Sequence, residues 1–374
     1  MDVPTWVWAL TIASIAGMLL FDFVGHVRTP HAPTLRESSI WSAVYVGIAI
    51  VFGLLIFWFY GVDYGGQYFA GYITEKSLSI DNLFVFVLIM AGFGVPRELQ
   101  QKVLLFGITF ALVLRTVFIL VGAAAIENFS WVFYLFGAIL VYTAWVQARS
   151  GGHSGDEDYK ENGVLRFARK VLPTTEEYHS DRMVVKVDGR RFITPLAIAL
   201  IAVGTADVIF AIDSIPAIFG LTQETYLVFT ANAFSLLGLR QLFFLIDGLL
   251  DRLVYLSYGL AVVLGFIGAK LVIHALHTNE LSFINSGEHI TVIPEIPTWL
   301  SLSVILLTLA VTTVASLAKN RRVRTEHAAA RVREDSADAV TGDLPVAAAP
   351  KPDTLRGPQE SRPHEHTVTA PHSG

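Results

Sequence analysis

The sequence predicts an all-α, polytopic membrane bundle of about nine transmembrane helices containing an inverted three-helix repeat, and three observations carry that prediction. Of 374 residues, 53% are hydrophobic and only 16% are charged, against roughly 25% charged residues in a soluble domain. The apolar residues fall in blocks of about twenty, the length that crosses ~30 Å of hydrocarbon as a helix. Charged residues inside those blocks recur in the same order in the two halves of the chain.

Taken in order, the blocks lie at 5–25, 38–60, 67–93, 102–125, 129–147, 193–219, 225–246, 253–275 and 298–318. The first starts after Met1-Asp2-Val3-Pro4, with no basic segment and no small-residue cleavage pattern, and reads as a retained helix. Among the connections, alternate ones carry the Lys and Arg residues: Arg28 and Arg36, then Arg97 and Lys102, then Arg149 to Arg191, Arg252, and Lys319 to Arg324. The other set carries Asp63, Glu127, Glu224, Glu280, Glu288 and Glu295 without Lys or Arg. Cytoplasmic loops collect Lys and Arg, so nine spans with the N-terminus outside and the C-terminus in the cytoplasm satisfy every loop, as in a bacterial plasma membrane.

The chain divides into a first membrane half (1–147, its repeat at 67–147), a cytoplasmic linker (148–192), a second half (193–318, its repeat at 193–275) and a tail (319–374). The linker is rich in Gly, His and charge, with one amphipathic stretch at Leu165–Leu172. The tail lacks apolar periodicity and is expected to be disordered. Linker and tail are the segments able to recruit protein partners; the lipid bilayer is the partner of the rest. The formal charge of −5 implies no nucleic-acid surface, and the absence of cysteine excludes disulfides, thiolate metal sites and cysteine nucleophiles.

The repeat is built around residues that should not lie in spans. Span three holds Glu75-Lys76-Ser77-Leu78-Ser79-Ile80-Asp81-Asn82, and span six holds Asp207-Val208-Ile209-Phe210-Ala211-Ile212-Asp213-Ser214. Each has an acid, five residues, a second acid and a small polar side chain. One span later each half has a buried arginine, in Leu114-Arg115-Thr116 and Leu239-Arg240-Gln241. Repeats of three spans enter the membrane from opposite sides, the inverted design of many secondary transporters.

A charge at the bilayer centre costs on the order of 2.5–3.5 kcal/mol on insertion scales, so the acids need a partner or a role. Six residues turn an ideal helix through about 240°, which separates Glu75 from Asp81 and Asp207 from Asp213. Glu75 and Asn82 share a face, as do Asp207 and Ser214. Either protein surrounds each helix, or the helix breaks between its acids, for which Pro216 is placed to free the Ile212 carbonyl. Glu75, Asp81, Asn82, Asp207, Asp213 and Ser214 together form an all-oxygen set suited to Mg²⁺, Mn²⁺ or Ca²⁺. Lys76, Arg115 and Arg240 supply supporting charge, as counter-ions for the acids or as ion pairs orienting helices. The competing reading makes the acids charge pairs that lock a bundle. Asp22 with His26, Asp247 with Asp251, His274 with His277, and Glu288 with His289 are secondary clusters that read more simply as interfacial or loop groups. No Gly-x-Gly-Asp motif, nucleophile elbow or phosphate-binding loop accompanies the acids, so no enzyme and no permanently bound cofactor is expected.

The two acid motifs, with Phe210-Ala211-Ile212-Asp213-Ser214-Ile215-Pro216-Ala217-Ile218 and Leu237-Gly238-Leu239-Arg240, resemble those of the TerC/Alx family of integral membrane proteins, similar in layout to the lysine-exporter superfamily. The resemblance runs from span one to about residue 318. It implies association with tellurite resistance and manganese export, and an ion path lined by Glu75, Asp81, Asp207 and Asp213. Many members of the family carry Glu three residues before the position of Asp207, where this chain has Gly204, which changes the charge of the site. The expected function is export of a divalent cation, Mn²⁺ first, through exchange with protons on the acids; the alternative is a scaffold that helps other membrane or exported proteins assemble or acquire metal.

Because the native chain has no cysteine, the topology is directly testable. Asp63→Cys and Glu127→Cys should react with a membrane-impermeant maleimide applied outside whole cells, and Arg36→Cys and Arg97→Cys should not; the opposite pattern would invert the bundle.

Overall fold

In a computed structural model, residues 1–26, 33–150, 182–187, 190–246, 255–279, 281, 285, 289–290 and 293–341 are described. Met1–Arg321 forms one compact unit, and the described part of the second, Arg322–Gly374, is the end of the last helix. The first half contains α1 (Thr5–His26), α2 (Leu35–Tyr60), α3 (Val62–Gly92), α4 (Arg97–Asn128) and α5 (Val132–Ser150). The second contains α6 (Pro195–Phe219), α7 (Thr225–Leu236), α8 (Leu239–Ile246), α9 (Leu256–His277) and α10 (Thr298–Thr341).

Local chemistry sets several of these boundaries. Thr34 caps α2 by accepting the Glu37 N–H at 3.2 Å, as a Ser or Thr three residues before Glu does at helix starts. Proline opens α6 at Pro195, where its missing N–H removes no helical bond. The end of the linker holds a hairpin not foreseen from the sequence: β1 (Val184–Val187) pairs antiparallel with β2 (Arg190–Ile193), leading directly into α6. The Leu165–Leu172 stretch lies outside the described residues.

Among the described residues, eight segments are long and apolar enough to cross a membrane, and they match eight of the nine expected spans. The ninth, α3, falls short on composition, since it carries Asp63, Glu75, Lys76 and Asp81. It is shielded instead: Glu75 is fully buried, as are Thr74, Tyr68 and Leu83. The outer helices show the reverse. Trp58 of α2 is 84% exposed and Leu307 of α10 67% exposed, which suits lipid rather than water.

Two boundaries differ from the sequence expectation. The seventh span is two helices: Leu237 is extended and Gly238 takes φ +80°, the left-handed region where a side chain is strained. A Cβ on Gly238 would also lie 2.8 Å from Tyr45 Cβ. The sixth span is not interrupted, because α6 runs through Pro216 to Phe219. Of the two arrangements open for the acids of this span, a helix break between Asp207 and Asp213 is not adopted, and the interruption lies in the neighbouring span instead. In the tail, α10 continues to Thr341, so the segment from 319 to 341 is helical; 342–374 lies outside the described residues.

Helices of one half pack chiefly on helices of the other: α3 on α7, α4 on α6, and α5 on α9, with α3 also against α6. Two large apolar clusters, with a smaller third around Ile119, Ile215 and Phe219, fill the interior among the described residues. One joins α1 to α4 with α6, α7 and α8 through Tyr45, Leu83, Leu104, Val203 and Phe234. The other joins α5, α9 and α10 through Leu140, Leu264 and Ile305.

The α5–α9 contact is the most extensive among the described helices. A Cβ on Gly137 would lie 2.7 Å from Val272, and one on Gly268 would lie 2.9 Å from Val141 and 3.1 Å from the Gly137 carbonyl. Small residues let helix backbones touch in membranes, where van der Waals contact replaces the hydrophobic drive. Gly268→Leu should therefore destabilise the protein by about 1–3 kcal/mol, read as a lower Tm in detergent. Gly265→Ala, whose methyl would meet Ala144 at an ordinary 3.6 Å, should leave Tm unchanged.

Candidate functional site

The sequence-predicted residues do not gather into one shell; they divide between two places. At the first, Arg115 from the middle of α4 lies between α3 and α6. Its Nε donates to Asp207 Oδ2 at 3.1 Å and its Nη2 to Asp207 Oδ1 at 2.9 Å. Nη1 donates to Glu75 Oε1 and, at 3.2 Å, to Ser214 Oγ. This fork is the bidentate arrangement that a planar guanidinium makes and an ammonium cannot. Glu75, Arg115, Asp207 and Ser214 are all buried, none more than 3% exposed.

Helix periodicity explains who joins this junction. Asp207 and Ser214 lie two turns apart on one face of α6, and both reach Arg115. Asp213, one position earlier, turns aside and is half-buried, within electrostatic reach of Glu75 and Arg115. The second oxygen of Glu75, Oε2, is buried without a hydrogen-bond partner.

The second place holds Asp81, on the other face of α3. Its Oδ2 accepts from Gln147 Nε2 of α5 at 2.9 Å and its Oδ1 from Ser257 Oγ of α9 at 3.1 Å. Asp81 and its neighbour Asn82 are half-buried. Neither Gln147 nor Ser257 stood out in the sequence, since a lone amide or hydroxyl in a span gives no repeat signal. Lys76 faces neither acid group; its Nζ donates to the Ser235 main-chain carbonyl of α7 at 3.0 Å.

Arg240 also departs from the repeat. Instead of joining the acids of α6, its Nη2 donates to Asp22 Oδ1 at 3.1 Å and its Nη1 to Gln101 Oε1 at 3.0 Å. It thereby ties α8 to α1 and α4, which is the helix-orienting role among the two foreseen for it. Asp22 is buried rather than interfacial; the side chain of His26 lies outside the described residues, as do Asp247 and Asp251.

At one end of the bundle, the segment after α6 and the ends of α9 and α10 border a cavity of about 550 Å³ lined by Gln67, Glu224, Lys270, His274, Glu295 and Thr298. His274 contacts Glu295 Oε1 through Nδ1 at 2.9 Å and Gln223 through Nε2 at 2.8 Å. His277 approaches Glu295 only to 3.9 Å. His289 is exposed, and Glu288 lies outside the described residues. The Met1 ammonium is 2.6 Å from Glu224 Oε1, and hydrogen bonds to Glu224 and Tyr64 raise its pKa above the ordinary value. Among the described residues, no three His, Asp or Glu side chains stand close enough together to hold a metal ion by themselves. A cation at the junction would have to share its carboxylates with Arg115.

Comparison with known proteins agrees with this architecture. An uncharacterized membrane protein of Mycobacterium tuberculosis is 56% identical over 329 residues, covering 87% of this chain and 82% of that protein. One of Myxococcus xanthus is 38% identical over 322 residues, covering 86% of this chain and 95% of that protein. An Escherichia coli relative, 38% identical over 276 residues and covering 71% of this chain and 85% of its own, bears the name "Putative membrane-bound redox modulator Alx". No solved structure matches the chain. The family model for integral membrane protein TerC matches residues 60–324, the region that holds both acid motifs and both arginines, and the chain belongs to the TerC family of integral membrane proteins.

Proposed function

We propose that this protein is a transporter that exports a hard divalent cation, Mn²⁺ first among candidates, from a bacterial cytoplasm through its intramembrane carboxylates. The observation that carries the reading is the charge enclosed by the bundle. Around the two acid motifs, four carboxylates (Glu75, Asp81, Asp207, Asp213) stand with two basic groups (Arg115, Lys76), a formal surplus of two negative charges, which is the charge of one divalent ion; elsewhere in the spans Asp22 and Arg240 neutralise each other and Lys270 lies at the end cavity. A surplus of that size inside a bilayer is costly unless a cation or protons neutralise it. Oxygen ligands without sulfur favour Mn²⁺, Mg²⁺ or Ca²⁺ over Cu⁺.

Arg115 has a definite part in this scheme. It holds Glu75 and Asp207 together as a resident counter-ion, and an arriving cation competes with it for those oxygens. The exchange of packing partners between halves, α3 on α7 and α4 on α6, supports a pseudo-twofold relation and thus the inverted repeat, whose interface is where midplane sites of such transporters lie. The name of the Escherichia coli relative suggests redox work, but this chain has no cysteine, so a thiol–disulfide relay has no residues of its own to run on.

The deciding measurement is Mn²⁺ flux in proteoliposomes, with Mg²⁺ and Ca²⁺ as competitors. Asp81→Asn and Asp213→Asn, which lie outside the Arg115 fork, should each lower the rate at least ~tenfold, a barrier change of about 1.4 kcal/mol, while Tm stays near that of the parent. Parent-like flux in both, or none in the parent, would demote the acids to structural pairs and favour the scaffold reading.

Arg115→Gln gives a second prediction. Removing one partner of a buried charge group costs about 3–5 kcal/mol, so Tm should fall sharply, and millimolar Mn²⁺ should restore part of the loss by taking the place of the guanidinium. A variant whose Tm ignores Mn²⁺ would argue against a cation reaching this junction.

A further inference from the structure

The break between α7 and α8 leaves a helix end inside the bundle. The last four carbonyls of a helix have no partner within it, and together they carry about half a negative charge. Ser235 belongs to that last turn, and its carbonyl accepts from the Lys76 ammonium at 3.0 Å. Lysine thus does what a free cation does at the interrupted helices of transporters, where exposed carbonyls coordinate ions.

The surroundings hold more oxygen than Lys76 engages. Asn232 and Ser235, three apart and so neighbours on the α7 surface, are 1% and 0% exposed. Asn232 Oδ1 and Nδ2 and Ser235 Oγ have no hydrogen-bond partner. On α3, Ser79 Oγ, one turn beyond Lys76, is likewise buried and unpartnered. Two contacts fix how α3 and α7 lie: a Cβ on Gly71 would stand 3.3 Å from Ala231, and Lys76 meets Ser235. The helices therefore run side by side in the same direction, which puts the polar turns at one level. Each unpaired buried polar group costs about 1–3 kcal/mol, so Asn232 and Ser235, unpaired side by side at a helix end that already draws a cation, call for a ligand.

We propose that the broken end of α7 is a cation site in its own right, built from the Ser235 carbonyl and hydroxyl and the neighbouring Asn232 amide oxygen, and that Lys76 is a tethered cation that fills it until a hard divalent ion displaces it. The flexible four-carbon stem of lysine lets the ammonium withdraw without moving the helix. This site is distinct from the Arg115 junction, and it takes from the transport reading only the choice of Mn²⁺ as the probe.

The test is Mn²⁺ binding to the purified full chain in nanodiscs, followed by loss of the free-ion paramagnetic signal. Lys76→Gln should bind Mn²⁺ about tenfold more tightly than the parent, because the competitor is gone. Lys76→Arg, whose charge is permanent, should bind no better than the parent, and Asn232→Leu in the Lys76→Gln background should abolish the gain. A lysine that merely caps the helix predicts otherwise: Lys76→Gln would melt earlier with unchanged affinity, and that result would overturn the proposal, as would a gain that survives Asn232→Leu. Should Lys76→Gln fail to fold, Asn232→Leu alone should weaken Mn²⁺ binding about tenfold, and an unchanged affinity would equally overturn it. Flux on the same samples separates the two readings: tightening without Mn²⁺ flux in the parent removes transport and keeps the site, and flux without tightening does the reverse.

Discussion

The bundle is organised around one guanidinium. Arg115 stands fully inside, and its fork joins three helices from two halves through Glu75, Asp207 and Ser214. A buried charge without partners is so unfavourable that α3, α4 and α6 must meet where they do for any of these residues to be tolerated. The apolar packing around them supplies the bulk of the contact, but methyl groups would accept several registers. The ion group accepts one, which is the sense in which a buried polar cluster specifies a structure rather than merely stabilising it.

A second consequence concerns the two halves. By sequence, Arg115 and Arg240 are equivalent, each placed one span after an acid pair. In space, Arg115 serves both acid motifs and Arg240 serves neither, being drawn to Asp22 and Gln101. The difference follows from what precedes the repeats: α1 supplies the Asp22 carboxylate to Arg240, and no helix outside the repeats offers one to Arg115 among the described contacts. Duplicated spans have thus become unequal, one arginine in the central junction and the other fastening the broken span to its neighbours.

Much of this was legible in the chain. Long apolar blocks and the placement of Lys and Arg gave the spans, and a charged residue in such a block announces itself because hydrocarbon tolerates so few. The 3.6-residue period correctly paired Asp207 with Ser214 and set Asp81 apart from Glu75. What periodicity could not give was the partner across a helix contact: Gln147, Ser257 and Gln101 are ordinary polar residues until the fold carries them to a charge. The break at Leu237–Gly238 escaped for a related reason. Proline is a strong and visible breaker, whereas a single glycine in a helical pattern is often harmless, and here Pro216 is absorbed within α6 while Gly238 interrupts its span. The tail misled in the opposite direction, since helix propensity spread over an Ala-rich, charged stretch leaves no hydrophobic stripe to read.

The contact between α5 and α9 bears on how such a molecule can move. Where Gly137 and Gly268 bring two backbones together, sliding or rotation would drive Val141 or Val272 into main chain, so the pair behaves as a single stiff plank. The seam between α3 and α7 is unlike it: its polar groups are incompletely matched, one of its helices is severed, and an ammonium on a flexible stem spans it. On the transport reading proposed above, alternation in access to the buried carboxylates falls to that seam, with the plank as the stator against which the shorter pieces shift.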